Sequence, residues 1–192
     1  MTGISAEMLR RMVRCGMLEC FQKEHFRTPD YAEIEPEPPP ILSESQQQAY
    51  EGIRALLEQD APAAALLHGV TGSGKTQVYL KLIGDVLEKG QSAIVLVPEI
   101  GLTPQFIRIF AAQFGQLVAV LHSALSPGER YDSWKKIRSG IARVVIGTRS
   151  AVFAPAVALG LIVIDEEQDS AYKSDRSPRY HARDVAKFRV AQ

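Results

Sequence analysis

From Leu42 onward the chain alternates short apolar runs with longer segments of helical periodicity. The apolar runs read "AAALLH", "SAIVLVP", "LVAVLH", "RVVIGT" and "LGLIVID". They are continuous rather than alternating, so the strands they predict are buried on both faces, as in a parallel sheet covered by helices. "KTQVYLKLIGDVLEKG", "TPQFIRIFAAQFG" and "PGERYDSWKKIRSG" supply the helices between them. The expected class is therefore α/β, with a mostly parallel sheet.

The N-terminal region has a different pattern. Met8, Leu9, Met12 and Val13 recur at helical spacing, Gly16 is placed to end that helix, and "MLECF" reads as a strand. Such a short piece cannot bury its own apolar face, so it reads as the tail of another domain. "TPDYAEIEPEPPPILSES" follows, with five prolines, five acidic residues and no lysine or arginine. Proline removes backbone donors and favours extended chain, which makes this a stiff acidic linker. The expected units are residues 1–27, a linker at 28–41, and a main domain at 42–192.

Composition narrows the picture only a little. With 192 residues, 46% hydrophobic and 23% charged, the chain is ordinary globular material. A formal net charge of zero excludes a global basic field, so any nucleic-acid contact must be local. Cys15 and Cys20 lack the further ligands a zinc site needs and read as free, buried thiols of a reducing compartment. No run reaches membrane-spanning length and "MTGISAEMLRRM" lacks a signal-peptide core, so a soluble intracellular protein is expected.

Chemistry concentrates at the joint between the first apolar run and the first long helix. Gly69-x4-Gly74-Lys75-Thr76 satisfies the phosphate-loop pattern, with a predicted strand before it and a helix after it. Glycine costs backbone entropy. Here the offsetting gain is a loop whose N–H groups converge on phosphate, aided by the positive end of the helix. Gly69, Thr71, Gly72, Ser73 and Gly74 would form the cradle. Lys75 would neutralise phosphate charge, and Thr76 would ligate Mg²⁺. "LGLIVIDEEQD" places Asp165 and Glu166 just past a buried strand. Ligands in open parallel sheets sit beyond the carboxyl ends of strands, so both motifs should meet at one edge. Asp165 then fits as the Mg²⁺ partner, and Glu166 as base or positioner of the attacking water. In "LSESQQQAY", Ser43 and Gln46 have capping-box spacing, and a glutamine amide also matches the edge of adenine. The residues alone favour the cap.

Taken in order, "LSESQQQA", "GVTGSGKT", "LVPEIGLTPQ", "LHSALSPGER", "VVIGTRSAVFAP", "DEEQDSAYK" and "PRYHARDVA" closely resemble the PriA family of primosomal replication-restart helicases. The resemblance runs from Leu42 to the end. It implies a RecA-like P-loop NTPase lobe, preceded by the remnant of a winged-helix domain. It implies a superfamily 2 DNA helicase that uses ATP and Mg²⁺, moves 3′ to 5′, and assembles the primosome at stalled forks. The expected partners are single-stranded and forked DNA and other replication-restart proteins, in the bacterial cytoplasm at the nucleoid. Gln46 becomes the adenine-sensing glutamine, a use compatible with its cap. Pro98, Glu99 and Thr103 fall in a motif that lines the DNA path, as do Gly147, Thr148 and Arg149, the last two suited to phosphate contacts. "SAYKSDRSPRYHARD" resembles the family's aromatic-rich loop, where Tyr172 and Tyr180 would stack on bases. Lys173, Arg179, His181 and Arg183 would add positive charge there. Beyond Gln168 the chain has six Lys/Arg against three Asp.

Three departures stand out. Gln168 occupies the place of the family's usual histidine, which bears on how hydrolysis couples to DNA. The chain ends before the strand that, in this fold, inserts between the phosphate-loop strand and the acidic strand. That would leave backbone groups unpaired unless the two neighbours close up. The second lobe, with its arginine finger, and the family's zinc-binding cysteines would also lie beyond Gln192. Because about a thousandfold or more of rate rests on such an arginine, weak or absent turnover is expected of this chain alone. The alternatives are the first lobe of a different superfamily 2 translocase of repair or recombination, or a non-catalytic module.

Overall fold

The computed structural model describes residues 5–21, 34–59, 61–175 and 177–191. Four strands form one parallel sheet: β1 (Ser92–Leu96), β2 (Val118–Leu121), β3 (Val144–Gly147) and β4 (Leu159–Ile164), in the order β2-β3-β1-β4. In register, Leu96 of β1 lies opposite both Gly147 and Ile164, and Gly147 lies opposite Leu121. All four carboxyl ends therefore reach the same edge. Every residue of β1, β2 and β3 is buried, which is why their sequences read as unbroken apolar runs.

Alternate residues along the strands feed two separate cores. Ile94, Leu96, Ala119, Leu121 and Val145 pack with Ile137 of α5 (Pro127–Arg138) and with Ala182 and Ala186 of α6 (Ala182–Val190). On the opposite face Ala93, Val95, Val118, Val120, Val144 and Ile146 meet Tyr79, Leu80 and Ile83 of α3 (Lys75–Glu88) and Phe110 of α4 (Pro104–Phe114). A third helix layer lies outside α3, where Tyr50 of α2 (Glu44–Leu57) packs on Val78 and Leu82. The period-2 alternation of the strands thus sends each residue to one core or the other.

Two of the expected strands are absent. Residues 62–70 carry no strand, residues 61–66 are exposed, and β4 closes the sheet at its edge. The two neighbours of the inserted strand implied by the resemblance have not closed up. Exposure lets water satisfy the backbone groups of this stretch, which removes the drive to pair. "MLECF" is likewise not a strand, for residues 17–21 are exposed and irregular. The helix before it is present as α1 (Ala6–Arg14), capped by Ser5, but it has no buried residue. Cys15 and Cys20 are exposed rather than buried, because no core forms around that helix.

The boundary expected near residues 27 and 28 lies outside the described residues. From residue 34 to the start of α2 the chain has no regular structure, yet the N–H of Glu37 donates to the carbonyl of Ala112 at 2.9 Å. That carbonyl belongs to the last turn of α4, which has no partner within its own helix. Among the described residues no helix is long and apolar enough to cross a membrane.

Candidate functional site

Residues 69–76 form the turn that leads into α3. Gly72 and Gly74 adopt φ of 81° and 78°, and Gly74 is the N-cap with no side-chain cap bond. No acidic residue occupies the first turn of α3. No side chain therefore compensates its first N–H groups or its positive end, and only the N–H of Gln77 is taken up by a backbone carbonyl, that of Gly74, which leaves the condition for holding an anion. Lys75 Nζ donates to the carbonyl of Gly69 at 2.8 Å and to that of Val70 at 3.3 Å, which holds the ammonium over the loop. Thr71, Gly72 and Ser73 are exposed, while Thr76 is half-buried at the base of the helix.

Gln46 joins α2 to this loop. Its Oε1 accepts from the N–H of Ser43 at 2.9 Å, and Ser43 Oγ accepts in return from Gln46, forming the capping box. Its Nε2 donates to the carbonyl of Ser73 at 3.0 Å. The cap and the placement of Gln46 at the phosphate loop are one arrangement. A Cβ on Gly74 would lie 2.3 Å from Gln46 Nε2, so the close approach of the amide requires glycine there. Behind Gln46, Tyr50 donates to Asp85 at 2.7 Å and fastens α2 to α3.

The acidic residues follow β4 in a turn. The N–H of Asp165 donates to the carbonyl of Leu96 at 2.9 Å, which extends the sheet by one bond. Its carboxylate accepts from the phenol of Tyr79 at 3.2 Å and from the N–H of Glu166. Burial raises the pKa of Asp165, opposed by the Tyr79 bond and by the charge of Lys75. Tyr79 lies one turn beyond Lys75 on α3, so the helix that begins at the phosphate loop touches the acidic turn directly. Burial beside Asp165 raises the Tyr79 pKa in turn, keeping that phenol a donor. Glu166 has φ of 46°, a left-handed conformation rare outside glycine. Gln168 Nε2 donates to Glu166 Oε2 at 2.6 Å, so the glutamine at the departing position restrains the adjacent carboxylate.

The residues assigned to a DNA path divide into exposed and internal groups. Glu99 and Lys173 are exposed, Tyr180 and His181 are half-buried, and Arg183 pairs with Glu167. Thr103 caps α4 through its hydroxyl, and His181 caps α6 through Nδ1. Pro98 and Thr148 are buried, which removes the Thr148 hydroxyl from any phosphate. Gly147 is needed for packing, since a Cβ there would lie 2.3 Å from the carbonyl oxygen of Leu121. Tyr172 is wholly buried, and its hydroxyl donates to the carbonyls of Leu96 and Asp165. It is a core side chain rather than a stacking face. Arg149 donates from Nη1 to the carbonyls of Ala171 and Lys173, and its guanidinium lies 5.8 Å from the ring of Tyr180. It clamps the aromatic-rich segment, a use that the sequence reading of a phosphate contact did not include. Lys173, Ser174, Arg179, Tyr180 and His181 line a cavity of about 230 Å³.

Tyr79 and Tyr50 were not among the expected site residues. A signal existed for both: each stands four residues after a site residue on its helix, Lys75 and Gln46, and so shares its face. Among the described residues no group of three or more His, Cys, Asp or Glu side chains could hold a metal. The donor set of Thr76 and Asp165 instead suits Mg²⁺, which takes few protein ligands and completes its shell with phosphate and water.

Residues 43–188 match the DEAD/DEAH box helicase family. The replication restart protein PriA of Bacillus subtilis is 49% identical over 96% of this chain and 23% of its own length. PriA of Synechocystis is 47% identical over 97% of the chain and 22% of its own length. The chain thus spans less than a quarter of these curated relatives. A solved structure of RecG bound to a three-way DNA junction is 26% identical, with a TM-score of 0.56, over 66% of this chain and 21% of that one.

Proposed function

The chain belongs to the DEAD/DEAH box helicase family, and from that premise we propose that it carries the magnesium–ATP site of a replication-restart DNA helicase that moves 3′ to 5′. The hydrogen bond from Tyr79 to Asp165 carries this reading, because it brings the helix of the phosphate loop onto the acidic turn. In the proposed mechanism, the N–H groups of Gly72, Gly74, Lys75 and Thr76 bind the phosphates, while that of Ser73 stays on the carbonyl of Val70. Lys75 exchanges the carbonyls of Gly69 and Val70 for phosphate oxygen, at little reorganisation cost because it already overhangs the loop. Thr76 and Asp165 would hold Mg²⁺, which when bound neutralises charge developing on the β- and γ-phosphates. Glu166, restrained by Gln168, would orient and deprotonate the attacking water. Gln46 would read the adenine edge from its fixed place beside Ser73.

Residues 1–27 are assigned to the end of a winged-helix domain, residues 28–41 to a linker, and residues 42–192 to the first RecA-like lobe. The part of the DNA path that reaches the surface would comprise the exposed Glu99, Lys173 and Arg183 and the half-buried Tyr180 and His181. The similarity to RecG, whose structure holds a three-way junction, supports branched DNA as the substrate. A protein acting on forked DNA would work in the bacterial cytoplasm at the nucleoid, with other replication-restart proteins as partners. Calorimetric titration with ATP and Mg²⁺ tests the nucleotide site. Binding should be present in the native chain and lost in Lys75→Ala; equal binding by both would overturn the assignment.

A further inference from the structure

Asp165 is held at three points by its surroundings. Its N–H is engaged by the carbonyl of Leu96, its own carbonyl by the phenol of Tyr172, and its carboxylate by the phenol of Tyr79. The first two fix the backbone. Only the third bond, together with the N–H of Glu166, fixes the side chain.

Tyr79 has features that core packing alone does not require. Its ring lies in the core between α3 and the sheet, and the residue is only 7% exposed. Phenylalanine would bury the same ring without the cost of taking a hydroxyl out of water. The hydroxyl is instead directed at one oxygen of the acidic turn's first carboxylate, 86 positions away in sequence. Its own α3 begins with Lys75, which acts on the same carboxylate through its charge.

We propose that Tyr79 is a positioning residue for the metal-binding carboxylate: its O–H holds Oδ1 of Asp165 and so sets the side chain for Mg²⁺. The inference rests on the magnesium–ATP reading above. Metal ligands are commonly oriented by hydrogen bonds from residues that never touch the ion, and losing such a partner typically costs about 10–100-fold in metal affinity. Tyr79 would have this role for Asp165. Because it rides on α3, a shift of the phosphate loop would be passed to the carboxylate by the same bond.

The test uses Mn²⁺ as the probe, with electron paramagnetic resonance counting the bound ion in the presence of a non-hydrolysable ATP analogue. Tyr79→Phe should weaken Mn²⁺ binding about tenfold. Affinity for the analogue in EDTA should stay unchanged, and so should the far-UV circular dichroism. Asp165→Asn should lose the ion, and adding Tyr79→Phe to it should change nothing more, since both act through one ligand. Undiminished Mn²⁺ binding in Tyr79→Phe would overturn the proposal, as would a parallel loss of analogue affinity in EDTA. A native chain that binds neither ion nor analogue would instead overturn the nucleotide-site reading on which it stands.

Discussion

Arg149 offers the sharpest separation between a DNA contact and an internal clamp. Its Nη1 donates to the carbonyls of Ala171 and Lys173 and its guanidinium lies 5.8 Å from the ring of Tyr180. Hydrogen bonds from a charged donor contribute about 1.5–3 kcal/mol each. Arg149 is only half-buried, so water competes for both carbonyls, and the pair together is better set at about 2 kcal/mol. Arg149→Ala should then raise the open population of the segment after the acidic turn by about 30-fold. Hydrogen exchange read by mass spectrometry on peptides covering residues 169–184 measures this directly. Exchange there should accelerate while peptides of β1 and β3 keep their protection. Arg149→Lys should fall between the two, since an ammonium cannot reproduce the planar fork. If exchange in the segment stays at the native rate while DNA affinity drops, Arg149 is a phosphate contact and the clamp argument is wrong.

Gln46→Ala removes both the capping box and the tether to Ser73, so it should cost about 1 kcal/mol of stability and reduce the preference for ATP over GTP. An unchanged ATP-to-GTP affinity ratio would leave Gln46 with the cap alone. Tyr172→Ala should destabilise by about 3–5 kcal/mol in urea unfolding, because the side chain is wholly buried. Only Tyr180→Ala can therefore probe base stacking, and a stability loss below about 1 kcal/mol in Tyr172→Ala would refute the core assignment. Burial raises the pKa of Asp165 in the folded chain, so the protonated form contributes stability below about pH 3.8 that is lost as pH rises through the raised value. Asp165→Asn should hence raise Tm at pH 7, and the difference should shrink in acid; a lower Tm at pH 7 would contradict the burial argument.

What was legible in the sequence follows from the kind of physics involved. β1, β2 and β3 could be read because burial on both faces requires uninterrupted apolar runs. Residues 64–68 also read as an apolar run, though without the Val and Ile of those strands, and are not a strand, because a strand exists only through pairing with a neighbour and an apolar run does not encode the neighbour. The phosphate loop could be read because its glycines answer to backbone geometry: Gly72 and Gly74 do adopt positive φ. The burial of Tyr172 was not legible because it sits in a polar, aperiodic stretch where burial leaves no pattern, and the bonds of Arg149 to the carbonyls of Ala171 and Lys173 join segments far apart in sequence. A tyrosine in "SAYK" looks the same whether its ring faces solvent or fills the gap beside Asp165. A capping box that the sequence analysis did not single out, Ser126 with Glu129, follows the same rule as Ser43 with Gln46 but lies away from the chemistry.

Apart from a left-handed Ala158 just before β4, departures from the local rules gather at the edge where the strands end. Side chains cap α1, α2, α4, α5 and α6, through Ser5, Ser43, Thr103, Ser126 and His181. Among the described α-helices only α3 begins without a side-chain cap. At the facing turn, Asp165 is held partly out of water against its preference for charge, and Glu166 takes a conformation that L residues seldom adopt. Each feature costs the free chain stability: a missing cap about 1 kcal/mol, and a left-handed non-glycine residue about 1–3. Their coincidence has a single explanation if an external group supplies what the chain withholds. An anion at the start of α3 takes the place of the absent cap, and a cation at Asp165 relieves the buried charge. Phosphate carrying its own magnesium brings both at once, so the missing cap and the buried charge are offset together by one ligand.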